Sequence, residues 1–187
     1  MLPTAHLEFT WAALNWLQRK AGLFDEADYR GVALASMAPD LLDKPLAMTV
    51  YRHTDAALFW GHNLWLHGLL WLGGWLWTRG RGRTFRRTAP YLLAFSGHLV
   101  ADRMWGFRES LLYPFGAGYW HPWRHVGGPA AMLDAYRDVI RKTPLLIIFE
   151  SVGLLLLGWF IRDRKLTRRG RLARLLRTGR VSDEESP

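Results

Sequence analysis

The stretch AALFWGHNLWLHGLLWLGGWLW, Ala56 to Trp77, contains no Lys, Arg, Asp or Glu over twenty-two residues. A helix needs roughly 20 such residues to cross a hydrocarbon core about 30 Å thick. The stretch therefore predicts a transmembrane helix, and two histidines, His62 and His67, lie inside it.

Working outward, five arginines between Arg79 and Arg87 follow this span directly. Pro90 to Trp105 is apolar up to Asp102 and opens on a proline, which the first helical turn tolerates because its N–H is unpaired there. It reads as a second crossing. Leu145 to Ile161 holds only Glu150 as a charge, follows Pro144 and runs into a basic segment, so it reads as the last crossing. His6 to Leu17 and Gly31 to Val50 are shorter or interrupted and fit helices embedded against the others. Trp120 to Gly128 reads as a loop, Ala130 to Lys142 as an amphipathic interfacial helix, and Val181 to Pro187 as disordered. The expected fold is all-α: a polytopic membrane helical bundle with three transmembrane helices and two shorter N-terminal membrane-embedded ones. Residues 1–161 form its membrane-embedded domain, and 162–187 a basic, partly disordered cytoplasmic tail.

Composition fits this division. The 187 residues suffice for one domain, and 50% hydrophobic residues stand beside a net charge of +9. The mean hydropathy of −0.07 averages over two segregated populations. Nine Lys or Arg fall between Arg162 and Arg180 against the single Asp163, so the two basic blocks exceed the whole net charge. Basic blocks directly after apolar spans follow the positive-inside bias, rather than the spread basic face that nucleic acid requires. No nucleic-acid partner is expected; membrane lipid is. Met1 to Thr10 lacks the basic start and long apolar run of a cleavable signal peptide. Eleven tryptophans, several near the ends of apolar runs, suit an interfacial belt. The expected location is a bacterial or archaeal inner (cytoplasmic) membrane, multi-pass, with a cytoplasmic C-terminus.

This topology sends His6, Asp40, Asp43, His62, His67, His98 and Asp102 toward one outer cavity. Ionisable side chains at membrane depth are costly and mark sites. His98 and Asp102, four apart, share a helix face. With no cysteine in the chain, a metal must be held by His, Asp, Glu or backbone oxygen, a donor set suited to zinc, manganese or magnesium. A helix-locking hydrogen-bonded cluster in a non-enzymatic membrane scaffold is the alternative, and a transporter pathway a third, less favoured for want of repeats. Glu150 reads as a supporting partner, and His53, His121 and His125 as loop residues.

The order of these pieces resembles the YdjM-like family of membrane-bound metal-dependent hydrolases. An early His6, Ala38-Pro39-Asp40 followed by Asp43, His62 and His67 at H-x-x-x-x-H spacing, and Gly97-His98-Leu99-Val100-Ala101-Asp102 before Leu111-Leu112-Tyr113-Pro114 occur in sequence. The chain departs from the family in Asn63-Leu64 and Gly68, which follow the paired histidines, and in the wider spacing of Asp40 and Asp43. The resemblance implies a divalent metal, zinc foremost, held by His6, Asp40, His67, His98 and Asp102. It also implies His62 and Asp43 as catalytic groups, and hydrolysis of an ester or phosphoester of a small-molecule or lipid-like substrate.

Overall fold

A computed structural model describes residues 2–79, 81, 83–123 and 128–181. Among these, eight α-helices and no strand occur: α1 (Pro3–Ala21), α2 (Tyr29–Met48), α3 (Leu64–Thr78), α4 (Arg83–Ala101), α5 (Arg108–Leu111), α6 (Pro129–Lys142), α7 (Pro144–Asp163) and α8 (Arg171–Thr178).

Local chemistry sets the ends of these helices. α1 opens with Pro3 and closes on Gly22, whose left-handed backbone (φ 59°) is cheap only for glycine. Asp28 caps α2 by accepting from the amides of Arg30 and Gly31 at 2.8 and 3.4 Å. α2 then runs unbroken through Pro39 and Pro45, where the sequence suggests an interrupted helix. Asn63 caps α3, its Oδ1 accepting from Trp65 and Leu66 while its amide donates to the carbonyls of Ser110 and Tyr113.

α1 lies along α7 and α2 along α4, with α1 also packed on α2 and α3 on α4. One buried cluster, including Leu14, Tyr29, Val32, Phe160 and Leu175, fills the end where α1, α7 and α8 meet. Buried Arg164 stitches that end by donating to Asn15 and Gln18. A second cluster, Ala47, Ala56, Ala57, Phe59, Met132 and Ala135, seats α6 against the 56–59 segment. The region expected to be a tail thus carries α8, docked through Leu175; the disordered segment expected from 181 onward lies, beyond Val181, outside the described residues.

The polytopic membrane bundle expected from the sequence is corrected here. Among the described residues one helix, α7, is long and apolar enough to cross a membrane, where three crossings and two embedded helices are expected. The stretch from Ala56 to Trp77 is not one helix. Its first seven residues form an extended segment and a 3-10 turn, Trp60–His62, Asn63 is a cap, and α3 as a whole has only 15 residues. At 1.5 Å per residue α3 spans about 22 Å, short of the hydrocarbon core. The second expected crossing begins seven residues before Pro90, inside the basic block, so α4 spends its first turns on Arg83, Arg86 and Arg87. α1 and α2 are long but carry ionised side chains along their length. α7 itself is not a core helix, since only 11% of its apolar window is buried.

Candidate metal centre

The local backbone around Asp43 builds the site. Asp43 is fully buried and accepts three hydrogen bonds: from the Phe59 amide at 2.6 Å, the Gly61 amide at 2.8 Å and His62 Nδ1 at 2.7 Å. This one carboxylate holds the 59–62 segment in a 3-10 turn, off the path of an α-helix. The turn can approach α2 because residue 61 is glycine: a Cβ there would lie 2.8 Å from Pro39 Cα, against rigid backbone.

The turn delivers His62 to α4. His62 Nε2 lies 3.2 Å from His98 Nε2 and 3.5 Å from Asp102 Oδ2; His98 Nε2 lies 3.3 Å from the same oxygen. Asp40 Oδ1 completes the group, 3.6 Å from His62 Nε2 and 3.9 Å from His98 Nε2. The four donor atoms all lie within 4.8 Å of one another, a buried Asp40–His62–His98–Asp102 cluster that can hold a metal ion.

Hydrogen bonds settle which ring nitrogens face the cluster. His98 Nδ1 sits 2.7 Å from the Ser36 carbonyl, which only accepts, so Nδ1 carries the proton and Nε2 presents a lone pair. His62 Nδ1 donates to the Asp43 carboxylate, which turns Nε2 toward the same point. Two imidazole Nε2 atoms and two carboxylate oxygens therefore converge on one small volume. Such convergence is repulsive unless a cation sits between them. Separations of 3.2 to 3.9 Å bracket the edge, about 3.3 Å, of a tetrahedron whose centre lies about 2.05 Å from each corner, the bond length of zinc to nitrogen and oxygen. Asp40 Oδ1, paired with the Lys44 ammonium at 3.0 Å, keeps a second lone pair for an ion. The donors fit a divalent metal, and the imidazoles carry the outer hydrogen bonds that orient metal-ligating histidines.

Around this core, His6 donates from Nε2 to the other oxygen of Asp102 at 3.1 Å and stacks on His98 with centroids 4.0 Å apart. Burial pushes the Asp102 carboxyl up, but the hydrogen bond from His6 and the other imidazoles packed on it outweigh this and hold the group well below its ordinary value. Burial lowers His6, so its ring is neutral at neutral pH. Lys44, one turn after Asp40, brings Nζ to 3.0 Å from Asp40 Oδ1. Burial alone would lower the Lys44 ammonium; the Asp40 charge overcomes it and raises the group.

The residues singled out in the sequence are distributed as follows. Asp40, His62, His98 and Asp102 supply the converging donors. His6 stands one shell out, on Asp102. Asp43 lies behind His62, cut off from solvent, and positions that ring rather than facing a reactant. His67 is outside the cluster: its Nε2 meets the Gly61 carbonyl at 2.9 Å and its Nδ1 meets Ser96 Oγ at 3.1 Å, so both nitrogens are engaged. Starting α3 at Asn63 accounts for this, since the 3-10 turn rotates His62 away from the helical face of His67. Glu150 accepts from the Leu2 amide and Thr4 hydroxyl and is not one of the converging donors. His121 pairs with Glu109, His53 neighbours Arg52, and His125 lies outside the described residues.

Lys44 and Tyr136 escaped the sequence reading. Lys44 stands four residues after Asp40, the i, i+4 spacing that pairs charges on a helix, and this was the available signal. Asp40 and Asp102, but not His62 or His98, line a cleft of about 440 Å³, whose walls come from the 57–58 segment, the 101–107 turn, α6 and the first turns of α7. Comparison of the chain with protein-family models, with curated proteins and with solved structures finds no match.

Proposed function

We propose that the protein is a metal-dependent hydrolase of esters or phosphoesters, with zinc as the metal, anchored at a membrane by α7. The observation that carries the reading is the pair of imidazoles locked by Asp43 and Ser36 with both Nε2 atoms turned on one point beside Asp40 and Asp102. The YdjM-like resemblance supports the same reaction class.

A divalent ion in this setting supplies Lewis acidity and lowers the pKa of a bound water. The chain supplies the rest. Asp40 and Asp102 remain 13% and 15% exposed at the side chain, so these two donors open to the cleft. The His6–Asp102 pair is the imidazole–carboxylate couple able to take the proton of a water whose oxygen bonds to the acyl carbon or phosphorus. The ester bond breaks and the departing alkoxide takes that proton back. Anchoring is supported by α7, whose Leu154 and Leu155 stand 62% and 74% exposed, and by the apolar outer face of α3.

The test is metal analysis of protein purified in detergent and loaded with zinc, together with release of nitrophenol from aryl esters and phosphodiesters. One zinc per chain in the parent and less than a tenth of that in His98→Ala is expected, with hydrolysis lost in parallel. Equal metal content in both would overturn the assignment of the cluster.

A further inference from the structure

Resting on that reading, we propose that the substrate is a monoanionic phosphodiester of a long-chain amphiphile, with Lys44 pairing to a non-bridging phosphoryl oxygen and the chain lying in the cleft.

The charges lining the cleft point to an anion. The Lys44 ammonium stands 3.0 Å from Asp40 Oδ1, and where Asp40 turns its charge to a divalent ion the ammonium is left to pair with an anion of the ligand. It is held in place by Asp40 on one side and stands 6.0 Å from the Tyr136 ring on the other. Lys44 also lines the cleft, as does Arg103 at the rim. A neutral carboxyl ester offers such a site nothing to pair with. A phosphodiester brings one negative charge, which the single Lys44 ammonium beside the donors can pair.

The cleft walls point to a long apolar tail. Leu58, Trp105, Val139, Leu146 and Phe149 line it, and the last two stand on the first turns of α7. The outward side of the same helix is apolar and exposed, at Ile147, Ile148 and Leu154. An amphiphile lying beside α7 would therefore meet the cleft mouth without leaving an apolar surface. A volume of about 440 Å³ lies within the range of pockets that bury a drug-sized ligand.

The experiment uses full-length, zinc-loaded protein in non-ionic detergent and reads binding, so it does not depend on turnover. Three probes are titrated: dodecyl methylphosphonate, which carries one charge; its neutral O-methyl ester; and methyl methylphosphonate, with the same head and no tail. The expected result is at least tenfold tighter binding of the charged dodecyl probe than of either other. Lys44→Met should lower affinity for the charged dodecyl probe about tenfold and leave the neutral ester unchanged, with zinc content intact. Equal affinity of charged and neutral probes, or an unaltered Lys44→Met, overturns the proposal while leaving the metal reading standing. Tight binding of methyl methylphosphonate would replace the amphiphile by a small soluble phosphodiester and overturn the tail assignment. Loss of zinc from the parent protein instead strikes the metal reading itself.

Discussion

Asp43 accepts the Nδ1 hydrogen of His62 at 2.7 Å while also accepting the amides of Phe59 and Gly61, so a single buried carboxylate fixes both the path of the turn and the orientation of the ring at its end. Removing its charge should therefore act on metal affinity as well as on stability. Asp43→Asn keeps the shape but turns one acceptor oxygen into a donor, placed among three groups that all donate. Outer-shell changes of this kind typically cost 10–100-fold in metal affinity, and each buried donor left unpaired costs about 1–3 kcal/mol. A competition titration against a chromophoric zinc chelator should show the affinity loss, with a lower thermal midpoint even in chelator. Unchanged affinity would mean that His62 is oriented by something other than Asp43.

His67 separates a ligand from a strut. It bonds the Gly61 carbonyl and Ser96, tying the turn to α3 and α4, and it does not reach the donors. His67→Ala should lower stability by about 2–4 kcal/mol, from two lost hydrogen bonds and the space left beside Phe95. Zinc stoichiometry should remain at one per chain. A variant that folds with the parent's midpoint but cannot hold zinc would make His67 a ligand after all.

Glu8 supplies a pH dependence away from the metal. It is buried on α1, with Oε2 unpaired and packed against Gly153 of α7. Burial first, and the nearby Glu150 charge second, raise its pKa. For an acid whose folded value lies above its unfolded one, the folded state holds the proton more tightly; stability is then highest below the unfolded value and falls as pH rises through the folded one. Glu8→Gln should consequently raise the thermal midpoint at pH 8 relative to the parent, and the gap should close toward pH 4. A gap that widened on acidification would reverse the sign of this assignment.

Much of the site was legible in the sequence because helical spacing is local. His98 and Asp102 are placed on one face by 3.6 residues per turn alone, and the distances found between them and the cluster need no long-range information. Asp40 likewise follows from its place on α2. His62 against His67 was not legible. The choice depends on where α3 begins, and Asp43, nineteen residues before His62, decides that by capturing the Phe59 and Gly61 amides. The same contact shortens the expected crossing from twenty-two residues to a fifteen-residue helix.

The sequence by itself determined a helical chain, the places of its apolar runs and basic blocks, and the absence of any thiolate donor, because composition and periodicity act within a few turns. The tertiary structure decided how many of those runs become membrane-length helices, which histidine nitrogens converge, and that Lys44 stands beside Asp40 in the lining of the cleft. Those outcomes rest on hydrogen bonds and close backbone approach between residues distant in sequence, such as Asp43 to Gly61 and Ser36 to His98, which no local pattern records.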